Sequence, residues 1–267
     1  MKKFLIVAAF LITLVACTRN VITGRNQLAL LSDNELATMA QQEYRNFLSQ
    51  SRVVSPTASK DGEMVRRVGQ RLTKAITEYY TSKGLGKELQ GFKWEYNLVD
   101  APDVNAWAMP GGKMVVYTGL LPVTQNEAAL AVVIGHEITH AIARHGNERM
   151  SQAMLAEGIG VAGNVLSSGN PQINNIFNAV YAPGAQIGVL LPNSRKQELE
   201  ADRFGLIFTA MAGYNPQEAI PLWERMAKMS EGQKPPEFLS THPSEGTRIE
   251  RLRAMMPEAM KYYKPVK

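Results

Sequence analysis

The sequence predicts an α+β domain, mostly helical, with a small β-sheet placed ahead of one apolar helix that carries two histidines. Three observations predict it. Phe92, Trp94, Tyr96 and Leu98 alternate with polar neighbours, the period of a half-buried strand. On either side of that stretch, apolar residues recur three and four apart, as on the buried face of a helix. The run VVIGHEITHAIARHG then places three of the four histidines of the chain in or beside one helical segment. At 267 residues and 45% hydrophobic content, the chain can bury a full core and has no obvious second domain boundary.

The first element is a targeting segment. Lys2 and Lys3 precede the apolar run FLIVAAFLITLV and small Ala16, which reads as an export signal over residues 1–16, too short and wrongly flanked for a membrane span. LVAC resembles a bacterial lipobox, so the mature chain is expected to begin at a lipidated Cys17. A lone cysteine has no disulfide partner, and several acyl chains on it would anchor the protein stably. The competing readings are an ordinary signal peptide with an incidental cysteine, or a short uncleaved anchor. The expected location is the bacterial cell envelope, as a periplasm-facing lipoprotein on the inner or the outer membrane.

Residues 17–31 lack a period and read as a tether, with the folded domain over residues 32–267. Ser32 or Asp33 can cap a helix bearing Leu36, Met39, Ala40, Tyr44 and Phe47 on one face. A second helix is expected after Pro56, with Met64, Val65, Val68, Leu72 and Ile76 aligned. After the strand at 92–98, VNAWAMPGGKMVVYTG reads as two strands around a turn at Pro110-Gly111-Gly112.

Everything beyond Leu120 reads as helical. Thr124 and Glu127 stand in capping-box relation before the histidine helix, and Gly146 suits its stop. A Ser194/Gln197 box opens SRKQELEADRFGLIFTAMAG, Asn215-Pro216 opens another helix, and Ser244 the last. Residues Leu155 to Leu191 have no firm period and read as a loosely helical surface excursion, with a lid over the neighbouring site as the sharper alternative.

Charge excludes one class of partner. The formal net charge of +5 falls to +3 without Lys2 and Lys3, and the remaining basic residues are interspersed with acids. No basic run with interleaved aromatics is present, so nucleic acid is not an expected partner.

The chemistry lies in HEITH. Positions 136 and 140 are four helical steps of about 100° apart, so both imidazoles lie within about 40° on one face and can reach one metal ion. His-Glu-x-x-His on a helix is a zinc-binding arrangement, with Glu137 placed to activate a water. Two unpartnered imidazoles in so apolar a helix would be poorly solvated, and a metal would satisfy them. His145 is about 180° from His136 on a continuous helix and is not expected to be a ligand. In SRKQELEADRFG, Glu198 and Asp202 share a helix face while Glu200 is turned away. Glu198 is therefore assigned as third metal ligand, and Asp202 as hydrogen-bond support to a ligand histidine.

Together, NAWAMPGGKMVVYTGLL, HEITHAIARH, SRKQELEADRFG and THPSEGTRIERL, in this order, resemble the HtpX and CAAX-prenyl-endopeptidase family of zinc metallopeptidases, most of all its exported branch of BepA and LoiP. The resemblance runs from about Ser32 to Leu252. It implies a zincin-like fold with one Zn2+ per chain, held by His136, His140 and Glu198, and with Asp202 in support. It also implies that His242 approaches the zinc, as a resting fourth ligand or as a transition-state donor, and that Asn105, Ala106, Trp107 and Ala108 supply a strand edge for an extended peptide.

The expected function is that of a membrane-anchored zinc endopeptidase acting on misfolded or misassembled envelope proteins. The alternative is a chaperone or assembly factor for outer-membrane proteins with little or conditional proteolysis. The expected partners are unfolded polypeptides, the membrane through Cys17, and an outer-membrane assembly partner.

Overall fold

The computed structural model describes residues 17–158, 170–181, 194–230, 236–242 and 247–265. The targeting segment at 1–16 lies outside the described residues. The chain opens with a small hairpin, β1 (Cys17–Arg19) against β2 (Asn26–Leu28). Helix α1 (Asp33–Gln50) follows, closed at its start by the capping box of Ser32 and Glu35. After β3 (Val53–Val54), Ser59 caps α2 (Lys60–Ser82).

The sheet is completed by β4 (Glu95–Val99), β5 (Ala106–Met109) and β6 (Lys113–Tyr117), in the order β3-β4-β6-β5. β5 and β6 form the expected antiparallel hairpin, and β4 pairs with β6 in parallel. The turn works because Gly111 and Gly112 both adopt positive φ, 76° and 85°. β5 is left as an edge.

Helix α3 (Glu127–Ile142) is the centre of the fold, and nearly all of its residues are buried. It is followed by α4 (His145–Ala156), α5 (Pro171–Tyr181), α6 (Ser194–Met211), α7 (Ala219–Met229), α8 (Glu237–Thr241) and α9 (Arg248–Met260). One face of the sheet, with Leu98, Ala106, Met114 and Val116, packs on α2 and α3 and joins the core of α6, α7 and α9. The opposite face, with Val99, Met109, Val115 and Tyr117, packs against α1, α4 and α5. The sheet is thus covered on both sides, which explains why every residue of β6 is buried.

Several local expectations differ from the structure. Asn126, not Thr124, caps α3 through its Oδ1 and the Ala129 amide, because Gln125 at φ 65° turns the chain between Thr124 and the helix. The helix also ends before Gly146, at Ile142, where Arg144 takes the left-handed conformation at φ 56°. Gly146 instead lies inside α4 against the Tyr181 hydroxyl, where a Cβ would sit 1.9 Å from the oxygen. Gln197 bonds Glu148, and the Ser194 side chain of its expected box lies outside the described residues.

Nor do residues 17–31 hang free in the described structure. Asn20 and Gln27 are buried and both donate to the Ala143 carbonyl, and Leu31 is in the core. Within the supposed surface excursion, α5 buries Ile173, Phe177 and Val180 in the cluster that contains Met150 and Met154. Residues 159–169 and 182–191 of that excursion, like Ser244, lie outside the described residues.

Candidate metal centre

Three segments meet at the centre. α3 brings His136, Glu137 and His140, α6 brings Glu198 and Asp202, and the end of α8 brings His242. α3 and α6 can approach closely because they cross at Gly135 and Gly205. A Cβ on Gly205 would lie 2.9 Å from the His136 backbone nitrogen. His242 is seated by the hydrogen bond its backbone N–H donates to the Phe238 carbonyl and by the Phe238 ring, 4.6 Å away between centroids.

His136 Nε2 and His140 Nε2 are 3.0 Å apart, and each lies 3.3 Å from an oxygen of Glu198. His242 Nδ1 lies 3.2 Å from His136 Nε2 and 3.1 Å from Glu198 Oε1. These four ligating atoms fall within 4.8 Å of one another. Donors bound about 2.0–2.1 Å from a tetrahedral zinc stand about 3.3–3.4 Å apart, so this donor set and its spacing fit one zinc ion. Three imidazole nitrogens and a carboxylate converging in a buried volume make poor company for one another and good ligands for a cation.

The electrostatics agree. Burial holds His140 well below the ordinary histidine range despite Glu198, and the neighbouring His136 opposes its protonation further. Burial also disfavours the charge on His136, but hydrogen bonds to Asp202 and Glu198 outweigh it and raise that group to about 9. Glu198 is buried, yet His242, His140 and His136 together pull it well below the usual carboxylate range. Asp202, likewise opposed by burial, is lowered by Arg248 and His136. It accepts from Arg248 at 2.6 Å and faces His136 Nδ1 at 3.1 Å, the outer nitrogen of that ring.

Glu137 stands beside the cluster. Burial raises its pKa, and its Oε1 has no hydrogen-bond partner, although His242 Nε2 is 3.2 Å away. A buried carboxylate oxygen without a partner is aimed at something that binds there. Ala108 of β5 and the ligand histidine His140 line one cleft with Phe92, Arg144, Arg149 and Tyr181. The four residues from Asn105 to Ala108 divide in role. The Tyr117 amide donates to the Asn105 carbonyl, so by antiparallel alternation Trp107 also faces β6, while Ala108 turns its backbone groups to the free edge. The Asn105 side chain is occupied by the Ala106 amide.

Sequence reasoning missed the residues around the ligands. His145 is no part of the donor cluster, but it faces His140 with its Nδ1 2.9 Å from His140 Nδ1, because the chain reverses at Arg144. Glu200 takes up the other side of His145 at 2.9 Å. Arg248 lies stacked 3.5 Å over Trp223 and bonds the His242 carbonyl as well as Asp202. Arg248 falls in the THPSEGTRIERL block, whereas nothing local marks His145 as a neighbour of His140 once helix continuity is assumed.

Fold and site together define a zinc-metallopeptidase domain. The sequence pattern of Peptidase family M48 matches residues 66–256, and the chain belongs to that family. Mitochondrial metalloendopeptidase OMA1 of Saccharomyces cerevisiae is 36% identical over 182 residues, covering 66% of this chain and 50% of the relative. Metalloendopeptidase OMA1, mitochondrial, of Homo sapiens is 29% identical, covering 90% of this chain and 46% of the relative. Beta-barrel assembly-enhancing protease of Yersinia pestis is 34% identical, covering 58% of this chain and 33% of the relative. The chain therefore spans about half the length of the mitochondrial relatives it matches.

These relatives correct one expectation. A periplasm-facing position in the bacterial cell envelope rested on residues 1–17 and on the likeness to the exported branch of the family, whereas relatives from fungi, a plant and animals are mitochondrial proteins. Two lysines before an apolar run direct a chain to a membrane without naming the compartment. Among the described residues, no helix is long and apolar enough to cross a membrane.

Proposed function

We propose that this protein is a zinc-dependent endopeptidase of unfolded or misassembled polypeptides, bound as extended strands along β5. The reading is carried by one observation: the convergence of His136, His140 and Glu198 at tetrahedral donor spacing, with the unpartnered oxygen of Glu137 beside them. His136, His140 and Glu198 hold the metal, and Asp202 fixes His136. Zinc here supplies Lewis acidity and a water acidified to a pKa near 7. Glu137, made more basic by its burial, accepts a proton at its carboxylate and returns it to the departing amine. Ala108 offers the substrate backbone its free N–H and C=O in the same cleft as His140.

His242 Nδ1 lies at donor spacing from both Glu198 and His136, so it would serve as a further ligand to a metal held there. That placement favours conditional proteolysis and keeps the chaperone-like alternative in play. The name of the Yersinia pestis relative, an assembly-enhancing protease, supports a role alongside the assembly of other proteins. Membrane attachment through residues 1–17 belongs to the proposal, and Cys17 is exposed at the start of β1.

The test is cleavage of an unfolded protein by the zinc-loaded parent and by Glu137→Gln, with zinc content measured in both. Cleavage by the parent alone, at equal zinc, supports the reading. Equal cleavage by both removes Glu137 from the mechanism, and absence of zinc in both defeats the proposal.

A further inference from the structure

His140 presents Nε2 to the donor cluster, so that nitrogen must keep its lone pair free and the ring proton must sit on Nδ1. The neighbour of that Nδ1 is the Nδ1 of His145, 2.9 Å away, which must therefore accept. His145 then carries its own proton on Nε2 and donates it to Glu200 Oε2 at 2.9 Å. Each proton along this path has one consistent place.

The path continues into the N-terminal hairpin. Arg25, in the loop between β1 and β2, donates from Nε to Glu200 Oε1 at 2.8 Å and from Nη2 to Glu200 Oε2 at 3.2 Å. The same guanidinium grips Glu148 of α4 at 2.5 and 2.7 Å. A second set of contacts fixes the hairpin in register. Asn20 and Gln27 donate to the Ala143 carbonyl at the end of α3, and the Leu31 carbonyl accepts from Asn147. They hold the reversal at Arg144 that folds His145 back onto His140.

We propose that the N-terminal hairpin is a positioning element of the metal site: Arg25 clamps Glu148 and Glu200, and through Glu200 and His145 it fixes His140 in the tautomer and orientation that offer Nε2 to the metal. Arg25 touches neither metal nor substrate. It acts through His145, as Arg248 acts on the opposite side through Asp202. A planar guanidinium is needed because it must span two carboxylates at once, which a lysine ammonium cannot do. The inference rests on the metal reading of the site given above.

The experiment uses the full chain loaded with zinc, and the readout is the rate of zinc release to a chelator. Loss of an outer hydrogen-bond partner of a ligand histidine weakens metal binding about 10–100-fold. Arg25→Met is expected to speed release about tenfold, His145→Ala by as much or more, and the double variant no more than His145→Ala alone, because both act along one path. Unchanged release in Arg25→Met, or effects that multiply in the double variant, would overturn the inference, leaving Arg25 as surface glue whose loss lowers only the melting temperature. If Arg25→Met fails to fold, Arg25→Lys carries the same test alone, with faster release expected and parent-like release refuting it. Zinc stoichiometry of the parent separates the two levels: no zinc there defeats the metal reading itself, whereas zinc there with unaltered release in the variants defeats only the role of Arg25.

Discussion

Replacing Gly205 with alanine tests whether the spacing of two helices sets the metal geometry. The added Cβ would lie 2.9 Å from the His136 nitrogen, 3.0 Å from its Cα and 3.2 Å from the Gly135 carbonyl carbon. All three are backbone atoms of α3, so no rotamer change relieves the clash. Ordinary contact begins near 3.4 Å, and α6 must therefore retreat from α3 by about 0.5 Å. Glu198 and Asp202 ride on α6 while His136 and His140 ride on α3, and the tolerance of ligand distances is about 0.2 Å. Overpacking of this kind costs about 1–3 kcal/mol. For a domain of this size that is roughly 2–12 °C in melting temperature. The expected outcome is a folded protein with a lowered melting temperature and zinc affinity reduced more than tenfold, measured by calorimetry and by competition with a chelator. A Gly205→Ala protein with parental zinc affinity would refute the claim that this crossing sets the site.

The remaining expectations concern catalysis, latency, substrate and pH. Glu137→Gln should keep its zinc and lose about 10²–10⁴-fold in kcat, read by single-turnover cleavage of an unfolded substrate. His242→Ala should cleave faster than the parent in a steady-state assay, because it removes a donor that would compete with water for the metal, and slower cleavage would assign His242 to the transition state instead. Ala108→Pro removes one outward N–H from an edge strand that tolerates proline, so it should raise KM severalfold with zinc content unchanged. Burial would raise Glu200, but His145 and Arg25 outweigh it and hold its pKa at about 2, against 4.5 unfolded. A depressed carboxylate stabilises the fold above its unfolded pKa and loses that contribution as pH falls, so Glu200→Gln should flatten the loss of stability between about pH 4.5 and 2, measured by thermal melts.

How much of this was legible in the sequence depends on the range of the interaction. The strand expected over Phe92 to Leu98, which runs from Glu95 to Val99, and the hairpin around Gly111 and Gly112 follow from alternation and turn chemistry, both properties of a few adjacent residues. So does the shared face of His136 and His140. Glu198 and Asp202 were found because they repeat the helical spacing and match a family block. His145 was placed on the far side of the helix by an argument that is sound for a continuous helix. One residue, Arg144, invalidates it by taking a left-handed conformation that no local preference of arginine announces. The packed hairpin at 17–31 was illegible for a different reason. Its Asn20, Arg25 and Gln27 find their partners more than 100 residues away, and a polar stretch without period gives no sign of that.

Four donors converging in so small a volume oppose one another unless a cation lies between them, and this bears on how the fold and the metal depend on each other. His136 is drawn toward protonation by Asp202 and Glu198, whereas burial keeps His140 neutral, and their Nε2 atoms face each other at 3.0 Å. Buried Glu198 has its carboxylate oxygens within 3.3 Å of both rings and of His242. A cation at the centre removes the conflict, because every donor then points its lone pair at the same charge. Binding that relieves an unfavourable arrangement of the folded state, and finds no such arrangement in the unfolded chain, adds directly to stability. Zinc should therefore raise the melting temperature of Glu137→Gln as much as that of the parent, since Glu137 is no ligand, and should raise that of Glu198→Gln far less. Equal stabilisation of Glu198→Gln and the parent would mean that the ion is held elsewhere.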